Sequence, residues 1–176
     1  MQTIPDWLEL WRELAAAQAR RRALGVSEGF AAEAKGDVWR AKARDFHEQV
    51  KRRWAKPDSS RDFIAADLAA HPGESLLDIG AGSGAWAMYM ARVARHITAL
   101  DPSPAMLELL RENVAEAGLS NVSVVEGAWP DAELALHDVV LSSHSIYGVA
   151  DFERAVRRME AVARRRCFLL LRVVLP

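Results

Sequence analysis

The pattern of hydrophobic and polar positions divides the chain into two unlike parts. From residue 74 onward, short apolar runs alternate with segments of helical periodicity, which is typical of βαβ units and predicts a parallel sheet. Helices are expected at about 85–95, 104–117 and 152–164. The predicted strands are Ser75–Ile79, Ile97–Leu100, Val122–Val125, Asp138–Leu141 and Cys167–Val174. The expected fold class is therefore α/β, with a doubly wound, mainly parallel sheet of five strands.

The first part of the chain has helical periodicity throughout and holds four of the six tryptophans. Trp7, Trp11 and Leu14 share one face of the first predicted helix. Three helices are predicted, at about 6–24, 38–54 and 61–70, with Asp6, Asp37 and Ser59 as N-caps and Gly25 as the stop of the first. We interpret residues 1–58 as a helical N-terminal cap over the substrate side of a core formed by residues 59–176.

Composition and charge narrow the class of protein. The chain has 176 residues, which fits one domain of ordinary size, and its net charge of −1 creates no field that attracts nucleic acid. Its single cysteine, Cys167, excludes an internal disulfide, and no apolar stretch approaches the ~20 residues that span a bilayer. The start has no signal-peptide pattern. These features predict a cytoplasmic protein that acts on a small molecule rather than on nucleic acid or a membrane.

Three basic runs are the exception to this even balance of charge. They are Arg20–Arg22, Lys51–Arg53 and Arg164–Arg166. We interpret them as solvated helix faces, with a local RNA-binding patch as the alternative.

A glycine-rich turn follows the first predicted strand, within the run LLDIGAGSG at residues 76–84. Its glycines, Gly80 and Gly82 among them, allow a ligand to approach the backbone closely. Asp101, which lies 21 residues after Gly80 at the end of the second strand, suits the hydroxyl groups of a ribose. Asp78 lies two residues before Gly80, where its carboxylate would repel a pyrophosphate and attract an ammonium or sulfonium group. The residues themselves leave open a purely structural role for Asp78, in which it braces the glycine turn.

Four segments together resemble the class I S-adenosylmethionine-dependent methyltransferases. They are LLDIGAGSG, TALDPSPAML, VVEGAW and HDVVLSSHSIYGV, all within residues 74–176. The resemblance implies a Rossmann-like methyltransferase fold, S-adenosylmethionine as cofactor with S-adenosylhomocysteine as product, and methyl transfer by direct displacement. The methyl acceptor is not identified by these motifs.

The resemblance also implies roles for individual residues at the ends of the strands. Asp78, Gly80, Ala81 and Gly82 would surround the methionine part, and Asp101 would bind the ribose. Pro102 and Met106 would border the adenine, with Ala128 and Trp129 on its other side. Ala128 stands where the family commonly has an acid, and a core position is the alternative for Trp129. Ser143 and His144 would lie near the methyl group, where His144 is either a general base or only a hydrogen-bonding residue; no metal site is predicted.

Two further functions and one structural question stay open at this stage. The alternatives are a non-catalytic cofactor-binding or scaffold protein and a nicotinamide-dependent oxidoreductase, against which Asp78 argues. The fold of the family continues with further strands beyond the fifth, so the predicted strand 167–174 would be an exposed edge. We therefore expect either a homodimer through this edge or a longer natural chain.

Overall fold

A computed structural model describes residues 6–23, 37 and 39–172 of the chain. Within these residues the helices and strands alternate from the third helix onward. The helices are α1 (Trp7–Ala23), α2 (Ala43–Trp54), α3 (Ser59–Ala69), α4 (Ala85–Met90), α5 (Pro104–Glu116) and α6 (Phe152–Val162), with a 3₁₀ turn at Ile146–Gly148. The strands are β1 (Ser75–Ile79), β2 (His96–Asp101), β3 (Val122–Glu126), β4 (His137–Ser143) and β5 (Ala163–Leu170).

The five strands form one parallel sheet in the order β3-β2-β1-β4-β5. The chain proceeds in one direction from β1 to β3 and then crosses to the other side of β1 for β4 and β5. This arrangement confirms the predicted doubly wound α/β fold. Its switch point lies between β1 and β4, and ligands of open α/β sheets bind outside the carboxyl ends of the strands at such a point.

The hydrophobic core has one layer on each face of the sheet because alternate residues of a strand point to opposite faces. Leu76 of β1 packs with residues of α3, α4 and α5. Leu77 and Ile79 pack on the other face with residues of α6. All five residues of β1 are buried, as expected for the central strand of a sheet that is covered on both faces.

The last strand begins four residues earlier than predicted. β5 starts at Ala163, directly after α6, and the last two residues of the predicted strand lie outside the described residues. The run Arg164–Arg166 therefore lies in a strand, and its interpretation as a helix face is wrong. Arg165 and Arg166 form ion pairs with Glu74, and Arg166 Nε also lies 2.8 Å from Asp67 Oδ2. These buried or half-buried acids explain why arginines begin an otherwise apolar strand.

The N-terminal boundaries of two helices, α2 and α3, also differ from prediction. α2 begins at Ala43 rather than at residue 38, since residues 39–42 form turns. α3 begins at Ser59, and its N-cap is Asp58, whose carboxylate accepts a hydrogen bond of 2.9 Å from the Arg61 N–H. An extended backbone at Asp58 places its carboxylate over the first turn. The predicted stop at Gly25 lies outside the described residues.

The first helices contact different sides of the α/β core. In α1, the Trp11 indole N–H donates to the Val149 carbonyl oxygen at 2.8 Å, and the ring lies 4.6 Å from that of Phe152. Trp7 and Leu14 are 67% and 59% exposed, so the predicted common face is not buried. In α2, the Trp54 ring contacts Trp86 and Tyr89 of α4. A role of these helices as a cap over a substrate stays a prediction. Among the helices that the structure describes, none is long and apolar enough to cross a membrane.

The packing of α3 against the sheet is expected to contribute to the stability of the fold. Replacing the fully buried Leu68 with alanine should lower the free energy of unfolding by about 2–5 kcal/mol, because it leaves a cavity between α3 and the sheet. The matched control is Leu14→Ala in α1, which should change it by less than about 0.5 kcal/mol because Leu14 is exposed. Chemical denaturation measures both; equal effects would contradict the packing of α3 on the core.

Candidate functional site

The glycine-rich turn folds back over the end of β2. The N–H groups of Gly80 and Ala81 both donate to the Leu100 carbonyl oxygen, at 2.8 and 2.9 Å. The next glycine, Gly82, donates its N–H to Asp101 Oδ2 at 2.8 Å. The turn and the carboxylate of Asp101 are therefore held as one unit at the carboxyl ends of β1 and β2.

Two glycines of this turn are needed for different reasons. A Cβ at Gly80 would lie 2.2 Å from Ser145 Cβ, so a side chain there would collide with the segment after β4. Gly82 has a φ of +55°, and no atom of the described residues lies within 4 Å of an added Cβ. Its backbone conformation disfavours other residues, and the open space beside it leaves room for a ligand.

Asp78 is the most unusual residue of the site. Its side chain is 1% exposed, and Oδ2 has no hydrogen-bond partner among the residues that the structure describes. Burial, together with the nearby charge of Asp101, raises the pKa of this carboxyl to about 7, although the Ala87 N–H favours the charged form. A buried oxygen without a donor is costly, so this position suits a ligand that brings a cationic N–H group.

Asp101 is also buried, but both of its oxygens have donors. Oδ1 accepts from the Ser103 N–H at 2.9 Å, and Oδ2 accepts from Gly82. Burial raises the pKa of Asp101, and these two N–H groups oppose that shift. A carboxylate fixed in this way retains lone pairs on both oxygens for further donors, such as the hydroxyl groups of a sugar.

The segment after β4 completes the same edge of the sheet. The Ser145 hydroxyl donates to the Ile79 carbonyl oxygen at 2.7 Å and lies 2.8 Å from Ser142 Oγ. Ser143, the last residue of β4, is half-buried. These contacts hold the end of β4 against the glycine-rich turn of β1.

His144 has an unusual backbone and an exposed ring. Its φ is +56°, in the left-handed region, and its Nδ1 lies 2.9 Å from the Tyr147 hydroxyl oxygen. Partial burial, followed by the charges of Arg172 and Arg53, lowers the pKa of His144. The imidazole is therefore neutral at pH 7 and able to accept a proton.

The predicted adenine-side residues are not equally accessible. Pro102 and Ala128 are exposed, after β2 and β3 respectively. Met106 is 1% exposed beneath Ala43. Trp129 is 9% exposed, packs in the core with residues of α6, and donates its indole N–H to the Ala155 carbonyl oxygen at 3.2 Å. This position matches the core alternative for Trp129, and its contact with an adenine stays a prediction.

Three residues at this edge are not among the predicted site residues. The prediction of Asp37 as the N-cap of the second helix is wrong, because α2 begins at Ala43; Asp37 instead accepts a hydrogen bond from the first turn of α5. His47 Nδ1 of α2 lies 2.9 Å from Ser83 Oγ in the glycine-rich turn. Ser145 binds the end of β1. No local sequence pattern reveals these contacts, because each joins residues at least 36 positions apart.

A separate cavity of about 460 Å³ lies between α2, α4 and α5. Val50, Trp54, Met88 and Tyr89 supply part of its apolar wall, and it reaches the glycine-rich turn only at Ser83. Asp78, Asp101 and His144 do not line it. The chemistry of the strand ends, rather than the volume of this cavity, therefore defines the candidate site.

Comparison with known proteins agrees with the fold and with this arrangement of motifs. A family model described as a methyltransferase domain matches residues 76–166, which is more than half of the chain. The chain belongs to the methyltransferase domain family. The match includes the glycine-rich turn, both aspartates and the segment after β4.

Known proteins are similar to this chain in sequence or in fold. A malonyl-[acyl-carrier protein] O-methyltransferase of Serratia marcescens is 30% identical over 96 residues, which are 54% of this chain and 36% of that protein. A candidate S-adenosyl-L-methionine-dependent methyltransferase of Methanococcus maripaludis has the same fold, with a TM-score of 0.65 and 23% identity over 78% of this chain and 66% of that chain. A Thiobacillus denitrificans methyltransferase, solved with S-adenosyl-L-homocysteine, gives a TM-score of 0.52 and 17% identity over 61% and 45%. The chain spans less than half the length of the curated relatives it matches.

The raised pKa of Asp78 predicts a pH-dependent stability of the unliganded methyltransferase domain. The folded protein binds a proton that the unfolded chain has lost between pH 3.8 and about 7. Relative to Asp78→Asn, the free energy of unfolding of the wild type should therefore fall by about 2–4 kcal/mol across this range and level off above it.

Urea denaturation at a series of pH values measures this difference. Asp62→Asn, which changes an exposed carboxylate of α3, is the control and should follow the wild type. Parallel curves for wild type and Asp78→Asn would mean that the pKa of Asp78 is not raised by folding, and would contradict this prediction.

Proposed function

We propose that this chain binds S-adenosylmethionine at the carboxyl ends of β1, β2 and β4 and transfers its methyl group to a small molecule. The observation that carries the proposal is the buried Asp78, whose Oδ2 has no partner within the described part of the chain, beside a glycine-rich turn and a second fixed carboxylate. The family supports the activity in general terms. The chain spans less than half the length of its curated relatives, so the methyl-transfer activity of the whole protein is itself proposed here.

The residues at the site fit the chemical groups of this cofactor. Asp78 would accept from the ammonium group, which supplies the donor that its buried oxygen lacks. Asp101 would accept from the ribose hydroxyls while Gly82 and Ser103 fix its orientation. The open space beside Gly82 lets a bound molecule lie directly on the backbone. When bound, S-adenosylmethionine supplies an electrophilic methyl group.

The contribution of the protein to the reaction is mainly position and proton transfer. The fixed turn and the fixed carboxylate reduce the freedom of a bound molecule, which lowers the entropic part of the barrier. His144, at the end of β4, is proposed to accept a proton from an acceptor that must lose one. Its lowered pKa supports this role because the imidazole is neutral near pH 7.

A small acceptor is proposed because the chain carries no net positive charge to attract a nucleic acid. The net charge is −1, and the run Arg164–Arg166 is engaged with Glu74, Asp67 and Asp138. Nucleic-acid binding depends on cationic side chains that neutralise phosphates. Arginines paired with buried acids are poorly suited to that task.

A second candidate function is cofactor binding without catalysis. It would need only the cofactor-binding residues at the ends of β1 and β2, which the structure describes. β5 lies at the edge of the described sheet, where pairing with a second copy stays a prediction. Measured methyl transfer to any acceptor would exclude it. The oxidoreductase alternative is disfavoured by Asp78, whose charge would face a pyrophosphate.

Calorimetric titration with S-adenosylhomocysteine and with NAD tests the proposed cofactor. The wild type should bind S-adenosylhomocysteine, and Asp101→Ala should weaken this binding by about 1.5–3 kcal/mol through the loss of hydrogen bonds to a charged group. Asp62→Ala, which removes an exposed acid from the first turn of α3, is the control and should bind like the wild type. Binding of NAD without binding of S-adenosylhomocysteine would refute the proposal.

A further inference from the structure

Asp37 ties the chain segment before α2 to the start of α5. Its two carboxylate oxygens lie 2.7 and 2.9 Å from the Ser103 hydroxyl, and Oδ2 also accepts from the Ala105 N–H at 2.7 Å. Oδ1 further accepts from the Trp39 N–H at 3.0 Å. One carboxylate thus joins two parts of the chain that are 66 or more residues apart.

Ser103 connects this carboxylate to the candidate ribose-binding residue. Its hydroxyl group donates to Asp37, while its backbone N–H donates to Asp101 Oδ1 at 2.9 Å. Ser103 is itself buried and accepts from the Met106 N–H as the N-cap of α5. A displacement of Asp37 is therefore transmitted to Asp101 through a single residue with little freedom to move.

The hydrogen bonds of Asp37 also fix the chain next to Trp39 and Phe46, whose rings form an aromatic wall beside the start of α5. The rings of Trp39 and Phe46 lie 4.8 Å apart, and both residues pack with Ala43 against Met106 of α5. Asp37 lies two residues before Trp39 in the chain. Hydrogen bonds at Asp37 and apolar packing at Met106 thus fix the same short segment at two points.

We propose that Asp37 is a positioning residue that fixes Asp101 and the wall of Trp39 and Phe46 around the adenosine end of the cofactor. This inference rests on the proposed function. It assigns to the N-terminal part of the chain a defined contribution to cofactor affinity. Asp37 itself does not touch the reacting atoms in this role.

The protonation state of Asp37 suits this role. Burial raises its pKa, but the N–H of Ala105, the Ser103 hydroxyl and the N–H of Trp39 outweigh burial and lower the pKa overall. Asp37 is therefore ionised at neutral pH, when its hydrogen bonds with these donors are strongest. An asparagine at this position retains an oxygen acceptor without the charge, and an alanine retains neither.

The test compares two ligands that share adenosine but differ at the other end. S-adenosylhomocysteine carries the amino acid group, and 5′-methylthioadenosine lacks it. Calorimetry on the full chain should show that Asp37→Ala weakens the binding of both ligands by a similar factor of about ten. Asp37→Asn should recover only part of this affinity, because its amide retains one acceptor oxygen but turns its NH2 group toward one of the N–H donors. Asp45→Ala, which removes an exposed acid from the first turn of α2, should change neither affinity by more than about twofold.

A second variant separates the two ends of the ligand. Asp78→Asn should weaken the binding of S-adenosylhomocysteine and leave the binding of 5′-methylthioadenosine unchanged, because Asp78 is assigned to the ammonium group, which only the first ligand carries. The melting temperature of each variant, measured without ligand, shows whether the titration is made on folded protein. If the role of Asp37 is purely structural, Asp37→Ala should lower the melting temperature and leave the affinities for both ligands unchanged.

The possible outcomes distinguish this inference from the proposed function. A wild type that binds neither ligand overturns both. If the wild type binds both ligands and folded Asp37→Ala binds them with the same affinity, only the role of Asp37 is overturned. Loss of affinity for S-adenosylhomocysteine alone also overturns it, because Asp37 would then act at the amino acid end.

Discussion

The strand ends are built around a buried carboxyl group whose hydrogen bonds within the described residues are incomplete. Asp78 occupies the central strand of the sheet, where all five residues are buried, and its Oδ2 lacks a donor. Such a group costs free energy in the unliganded protein, and the raised pKa is one expression of that cost. A ligand with an ammonium group would remove this cost by donating to Oδ2. Relief of the cost would then contribute to the affinity of the site for that ligand.

Around this carboxyl group the backbone is held by a continuous chain of hydrogen bonds. Gly82 binds Asp101, Asp101 binds Ser103, and Ser103 binds Asp37. Each link uses a short polar side chain or a backbone N–H, so there is little rotational freedom along it. Rigid support of this kind is what a binding site needs, because a loosely held carboxylate loses affinity through its own entropy.

The sequence predicts the central elements well and the long-range contacts poorly. The bounds of β1 are as predicted, and Ser103 is the N-cap of α5, since both follow from local patterns. Trp129 shows the limit: a tryptophan after a strand has the same local pattern whether it covers a ligand or packs under α6. The contact of Asp37 with α5 is beyond sequence patterns for the same reason, since only the folded chain brings the two segments together.

Proton release on binding tests the role of Asp78 most directly. S-adenosylhomocysteine is titrated into the wild type and into Asp78→Asn at a pH just below 7 in two buffers that differ in ionisation enthalpy. Because Asp78 is partly protonated before binding and ionised beside an ammonium group afterwards, the wild type should release a fraction of a proton, and Asp78→Asn should release none. Equal proton release by the two proteins, or none by the wild type, would contradict the assignment of Asp78 to the cofactor.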